Sequence, residues 1–130
     1  MRFRLLALSV VAALLTACAG GGGDGAAASC VGPQVTLEPD RAAVGDVVSV
    51  TVEWLRDGCN DYSGADEEHA LTDVPVSFVQ GGRTVSLGTV SGTGDRFSGQ
   101  LATAVPAGGV PGPAVVTVGA YGRADLTVLP

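Results

Sequence analysis

The chain has 130 residues, with 13 Asp and Glu against 7 Lys and Arg, and its net charge is -6 at pH 7. This acidic balance argues against binding to nucleic acid or adhesion to anionic lipid, because both need clusters of Lys and Arg. In residues 30–130, Val, Thr, Gly and Pro dominate and helical periodicity is scarce, which indicates short strands joined by turns.

The N-terminal segment 1–17 has the order of a secretory signal peptide. Arg2 and Arg4 form a basic start, and the apolar run 5–15 that follows is broken by Ser9 alone. This run is shorter than the about 17 to 25 residues of a membrane-spanning helix, and small residues follow it. We therefore expect the segment to be removed. The mature chain would then keep five Arg and thirteen acidic residues, a charge of 5 - 13 = -8 with an acylated N-terminus.

The residues Leu15-Thr16-Ala17-Cys18 resemble the lipobox of bacterial lipoproteins. In that family the cysteine receives a diacylglycerol, a dedicated signal peptidase cuts before it, and further acylation makes the anchor durable. The resemblance implies that Cys18 is the lipidation site. It also implies a protein exported to the extracytoplasmic side of a bacterial membrane, at the cell surface or in the periplasm. The alternative is an ordinary secretory signal followed by a chance cysteine.

The segment 18–29 consists of this cysteine and then almost entirely of Gly and Ala, a composition that predicts a flexible linker. One domain is expected to follow, over residues 30–130. Its two cysteines, Cys30 and Cys59, form an even pair in an exported protein, which predicts a disulfide that stabilises the fold by about 3 to 4 kcal/mol. A metal pair or two free thiols are the alternatives, but there is no CxxC spacing and His69 is the single histidine.

Seven segments of this domain carry strand signals. The clearest is 47–55, where every second residue from Val48 to Trp54 is apolar, so that Trp54 is expected in the core. The pair Gly81-Gly82 predicts a tight hairpin turn. The predicted strands are 34–37, 47–55, 74–80, 83–90, 97–105, 114–121 and 126–129. Seven short strands in about 100 residues predict an all-β fold, an antiparallel two-sheet sandwich.

The order of turns and strands also resembles the immunoglobulin-like modules of bacterial surface proteins, especially those of high-GC, actinobacteria-like lineages. The residues that carry the resemblance are Val44-Gly45-Asp46, Gly94-Asp95-Arg96-Phe97-Ser98-Gly99, Val105-Pro106, Pro111-Gly112 and Leu126-Thr127-Val128. The resemblance implies an immunoglobulin-like sandwich that acts in recognition or spacing. It departs from antibody-type domains because Cys30 and Cys59 bracket the first two predicted strands, so the disulfide between facing strands is absent.

The segment 56–73 is the most polar part of the chain and the longest connection between predicted strands, which makes it the candidate partner-binding loop. Its candidate residues are Arg56, Asp57, Asn60, Asp61, Tyr62, Asp66, Glu67, Glu68, His69 and Asp73. A plain solvated loop is the alternative, and residues 63–70 are also compatible with one helical turn. The carboxylates between Asp57 and Asp73 suggest a calcium site as a second reading. The EF-hand pattern fails, however, because Tyr62 stands where the glycine belongs.

Catalysis is the least favoured reading of the sequence. There is no Lys, and neither a Gly-x-Ser-x-Gly nor a Ser-x-x-Lys arrangement is present to activate a nucleophile. A hydrolase would have to use His69, oriented by Asp66 or Asp73. We therefore expect a monomeric, non-catalytic binding or spacer module without a cofactor. Its partners would be the membrane, through the lipid on Cys18, and an envelope protein or polymer.

Overall fold

The computed structural model describes residues 31–58 and 68–130. Within these two ranges the chain is all-β without a helix, and so no helix there is long and apolar enough to cross a membrane. Several residues singled out above lie outside the described ranges, namely Cys18, Cys30, Cys59, Asn60, Asp61, Tyr62, Asp66 and Glu67. The expectations that concern the signal peptide, the linker and the disulfide lie outside them as well.

The described residues form seven strands of five to eight residues and three of two residues. In chain order they are β1 (Gln34–Glu38), β2 (Arg41–Ala42), β3 (Val47–Glu53), β4 (Arg56–Asp57), β5 (His69–Ala70), β6 (Val74–Gln80), β7 (Arg83–Val90), β8 (Gly99–Ala104), β9 (Gly112–Val118) and β10 (Gly122–Val128). Each of the seven longer strands overlaps one predicted segment. The all-β prediction is therefore confirmed.

The longer strands build two sheets packed face to face. One sheet has the order β1-β3-β8 and the other has the order β2-β10-β9-β6-β7. Neighbouring strands are antiparallel, except that the short β2 runs parallel to β10. The chain thus changes sheets between β1 and β2, which ties the two sheets together along one side. This is the antiparallel two-sheet sandwich that the strand count predicts.

The core between the sheets follows from the period-two pattern of the strands. In β3, Val48, Val50 and Val52 are buried, while the residues between them point outwards. Facing strands contribute in the same way, for example through Phe78 of β6 and Val116 of β9. Burying each of these side chains contributes about 1.5 to 3 kcal/mol. Among the described residues the buried set is entirely apolar.

Glycine residues form the turn before β7 and allow β7 to pack closely against the other sheet. Gly81 and Gly82 have φ of 56° and 78° and form the predicted two-residue turn between β6 and β7. Farther along β7, a register shift between Val76 and Ser77 of β6 marks a bulge, and Gly88 opposite it has φ of 140°. A Cβ on Gly88 would lie 3.3 Å from the Leu101 side chain of β8. The missing side chain therefore lets β7 pack closely against the edge strand of the other sheet.

Two expectations about the end of β3 are wrong. The strand ends at Glu53, and Trp54 has φ of 61° and is only half-buried, so the fully buried Leu55 takes the core position predicted for Trp54. The reason is a change of backbone partner: the Trp54 and Leu55 amides donate to carbonyls of the loop 91–98.

The helical turn suggested for 63–70 is also wrong at its end, because His69 and Ala70 form β5.

Candidate functional site

One end of the sandwich, which we call the ribbon end, brings together the start of β1, residues 54–58, residues 68–73 and the loop 91–98. Register pairs Gln34 at the start of β1 with Glu53 at the end of β3. The Leu71 amide donates to the Leu55 carbonyl at 3.0 Å, and the Gly92 amide donates to the Leu71 carbonyl at 2.8 Å. These backbone bonds fix the three connecting segments relative to one another.

The candidate loop leaves the sandwich as a short ribbon made of β4 and β5. Arg56 pairs with Ala70, and Asp57 pairs with His69. The His69 amide also donates to Asp57 Oδ1 at 2.7 Å, which adds a side-chain bond at the point where the described strands end. The base of the loop is thus hydrogen-bonded structure, whereas the sequence indicated an irregular connection over the whole of 56–73.

Arg56 is the centre of this end of the molecule. Its Nη1 lies 2.7 Å from Glu68 Oε2, and its side chain is 9% exposed. The guanidinium carbon is 5.2 Å from the centre of the Trp54 ring and 5.7 Å from the centre of the Phe97 ring. Its Nη2 also donates to the Val31 carbonyl at 3.4 Å. A single side chain therefore contacts all four segments of the ribbon end through charge, ring stacking and a hydrogen bond.

A second arginine shares the same tryptophan but is much more exposed. The Arg96 guanidinium lies 5.5 Å from the Trp54 ring centre, and Arg96 Nη2 lies 3.2 Å from Glu53 Oε2. The Arg96 side chain is 61% exposed. Its ion pair is therefore hydrated and screened, and contributes far less than the buried pair of Arg56.

The three described non-glycine residues with positive φ all lie at the ribbon end. They are Trp54 at 61°, Asp73 at 51° and Phe97 at 48°. Each such conformation costs of the order of 1 to 3 kcal/mol and persists only where surrounding contacts hold it. Here the contacts are a hydrogen bond from the Asp73 amide to Ser91 Oγ at 2.9 Å and backbone bonds at Trp54 and Phe97. The fold thus maintains strained backbone around the ribbon.

Five of the ten candidate loop residues are described: Arg56, Asp57, Glu68, His69 and Asp73. Arg56 and Asp57 lie in β4, His69 lies in β5, and Glu68, which contacts Arg56, directly precedes β5. Asp73 lies beyond it and bonds to the loop after β7. Within residues 31–58 and 68–130, no group of three or more His, Cys, Asp or Glu side chains is close enough to hold a metal ion.

No local pattern in the sequence indicates that Trp54, Arg96 and Phe97 join Arg56 at this end. Trp54 was assigned to the core, and Arg96 and Phe97 are about 40 residues away from Arg56 along the chain. Their contacts with the ribbon arise because the loop 91–98 pairs with residues 54 and 55. A motif search along the chain cannot detect contacts between segments so far apart in sequence.

Comparison of the chain with protein-family models, with curated proteins and with solved structures gave no match. The ribbon end presents two exposed residues, Asp57 and His69, on a base held by an arginine whose side chain is 9% exposed. Such an arrangement suits recognition by hydrogen bonding and charge.

Proposed function

We propose that this protein is a cell-envelope lipoprotein, anchored through Cys18, whose immunoglobulin-like sandwich is a non-catalytic binding or spacer module. The anchor is supported by the order of the N-terminal sequence: a basic start, a short apolar run, and the four residues that resemble a lipobox. The sandwich supplies a rigid body beyond the Gly-rich segment. In this proposal the lipid holds the protein at the membrane, and the domain presents a surface to another component of the envelope.

The ribbon is the part of the domain that we propose binds the partner. The observation that carries this proposal is the partly buried Arg56–Glu68 pair, whose side chains are 9% and 27% exposed. A buried ion pair is seldom the most stable choice, since apolar residues of similar volume often stabilise as well or better. Here the pair fixes the position of β5, because Glu68 directly precedes β5 and its partner Arg56 also contacts the Trp54 and Phe97 rings. A loop with a fixed base loses less conformational freedom when it binds.

The anchor and the Cys30–Cys59 disulfide are both tested by intact mass. Protein extracted from native membranes should have a mass that begins at acylated Cys18, and the mass should rise by about two hydrogens on reduction of one disulfide. The disulfide is supported by the contact of Arg56 with Val31, since Val31 follows Cys30 and the β4 strand leads towards Cys59. A Cys18→Ala chain is the control for the lipid. An unmodified Cys18 in the native protein would contradict the anchor.

Partner binding at the ribbon is tested by site-specific photo-crosslinking in intact cells. A photo-reactive amino acid at exposed His69 should give a discrete crosslinked product. The matched control places the same group at exposed Thr84, on the outer edge of the sandwich. If neither position gives a product, the spacer half of the proposal remains and the binding half fails. Equal products from both positions would show that the ribbon has no special role.

Calcium binding by the segment 57–73 is the competing function, and it makes a different prediction. Asp57 Oδ1 accepts the His69 amide, and Glu68 Oε2 is paired with Arg56, so these two carboxylates are already engaged in holding the ribbon. We therefore expect the melting temperature of the domain to be the same in calcium and in EDTA. A rise of several degrees in calcium would instead favour the metal site, because a ligand that binds the folded state stabilises it.

A further inference from the structure

The two large sheets have four edge strands, and three of these carry features that discourage pairing with another chain. β1 lies between Pro33 and Pro39, β2 has only two residues, and β7 begins with Arg83 and contains the bulge opposite β6. Proline, charge, short length and bulges are the usual protection of sheet edges. The fourth edge strand, β8, pairs with β3 without a register shift and contains neither a proline nor a charged residue.

The backbone of β8 has hydrogen-bonding groups that point away from its neighbour β3. Just after β8, the amide and the carbonyl of Val105 bond to residues 45 and 46 at 2.9 Å, so this residue is turned towards β3. In an antiparallel strand, alternate residues bond to the same neighbour. The N–H and C=O groups of Gln100, Ala102 and Ala104 therefore lie on the free side of β8, where the strand has no partner among the described residues.

The side chains along this edge are uncharged, and those on the inner side are apolar. Residues 97–122 contain no Asp, Glu, Lys or Arg. On the outer face of β8, Gln100, Ala102 and Ala104 are exposed. Three apolar side chains at the boundary between β7 and β8 are only partly buried, namely Val85, Leu87 and Leu101. A strand added to β8 would thus meet neutral side chains on one face and apolar ones on the other.

We propose that the free edge of β8 pairs with β8 of a second copy of this chain, so that two three-stranded sheets become one continuous sheet. In the antiparallel register centred on Ala102, this residue faces Ala102 of the second copy, and Gln100 faces Ala104 of the second copy. Each of these pairs exchanges two backbone hydrogen bonds. A two-fold axis through the Ala102 pair relates the two copies. This pairing replaces the monomer expected from the sequence.

A second copy is favoured over an unrelated strand because β8 is complementary to itself. The register opposes no like charges, and it places the one long outer side chain, Gln100, against the small Ala104 of the other copy. On the inner side, Leu101 of each copy lies beside Thr103 of the other, which covers part of its exposed apolar surface.

The pairing should be weak and reversible. It uses one strand of six residues from each copy, a small contact beside the about 1,200 to 2,000 Å² that stable interfaces bury. The association is therefore best detected by covalent trapping in intact cells, with the full-length protein.

The first experiment traps the pair at its two-fold axis. Cells produce two forms of the Ala102→Cys chain, one of which carries an epitope tag, and are treated with a short bis-maleimide reagent. A product that contains both forms should be several-fold more abundant than from the matched variant Ala120→Cys, whose residue is exposed in the turn between β9 and β10. The unsubstituted chain measures any background from the native cysteines. No product, or equal products from the two positions, would overturn the pairing, and a product that joins position 102 to a different protein would overturn the second copy as the occupant.

The second experiment tests the register with a charge. The reporters are Gln100→Cys in the tagged chain and Ala104→Cys in the untagged chain, which the register places opposite each other. Adding Ala102→Lys to both chains sets two like charges face to face, so the product should fall several-fold, whereas Ala120→Lys should leave it unchanged. Thermal unfolding of the two lysine variants should occur at the same temperature, because both positions are exposed, and it separates a loss of pairing from a loss of fold. An undiminished product in the folded Ala102→Lys chain would overturn the proposal.

Discussion

Replacing Arg56 with Ala should destabilise the domain far more than replacing Arg96 with Ala, although both arginines contact Trp54 and one carboxylate. The difference lies in burial, since the Arg56 side chain is 9% exposed and the Arg96 side chain is 61% exposed. Removing one partner of a fully buried ion pair costs about 3 to 5 kcal/mol. Glu68 is 27% exposed and regains water when Arg56 is removed, so we reduce this contribution to about 1 to 2 kcal/mol.

The ring contacts of Arg56 with Trp54 and Phe97 add about 1 to 2 kcal/mol together. The expected total for Arg56→Ala is therefore about 3 kcal/mol, a large part of the about 5 to 15 kcal/mol that stabilises a typical domain. For Arg96→Ala, an exposed ion pair and one exposed ring contact give about 0.5 to 1.5 kcal/mol.

Equilibrium urea denaturation of the chain without residues 1–18 measures both changes, with Trp54 fluorescence as the signal. In thermal unfolding with the same signal, the melting temperature should fall by more than about 10 °C for Arg56→Ala and by a few degrees for Arg96→Ala. Hydrogen exchange should also quicken at the amides of His69 and Leu71 in Arg56→Ala, because these amides belong to the ribbon and its base. Equal destabilisation by the two substitutions would refute the central role given to Arg56.

Three further predictions concern the sandwich itself. Leu55→Ala should cost about 2 to 5 kcal/mol, while Val47→Ala, whose side chain is 64% exposed, should stay within about 0.5 kcal/mol in the same urea assay; a neutral Leu55→Ala would contradict the assigned core. Gly99→Ala places a Cβ in a clash with the Ser91 carbonyl oxygen and should lower the melting temperature strongly, whereas Gly32→Ala meets nothing within 4 Å and should leave it unchanged. Gln80→Ala removes the bonds to Val110 and Pro113, so peptide-level hydrogen exchange should rise over residues 106–113 and remain unchanged over β3.

The longer strands could be predicted because each carries its own local signal. In β3, Val48, Val50 and Val52 show the period of a half-buried strand. Between β6 and β7, Gly81-Gly82 marks a tight turn by composition alone. The last strand was predicted to start at residue 126 but begins at Gly122. Its first half is Arg123, Ala124 and Asp125, two exposed charges around a small residue, so the alternation becomes visible only at Leu126.

The two-residue strands and the ribbon end could not be predicted in this way, because their partners are remote in sequence. β2 exists through its parallel pairing with Thr127 and Val128, and nothing in the residues Arg41-Ala42 indicates that pairing. Trp54 continues the apolar alternation of β3, which made it a core prediction. The Trp54 amide instead donates a hydrogen bond to the Arg96 carbonyl, 42 residues later, and Trp54 adopts a positive φ. Tertiary hydrogen bonds override the local pattern at this position.

This departure from the local sequence pattern is one reason why the ribbon end is the candidate functional site. Elsewhere in the described sandwich, each of the seven longer strands overlaps a predicted segment, as expected where a sequence is selected for one stable fold. At the ribbon end the chain keeps three non-glycine residues at positive φ, each of which costs free energy, and a partly buried ion pair in place of apolar packing. Stability alone does not account for these features. The proposed binding role accounts for them, because a ribbon that recognises a partner has to be held in one direction.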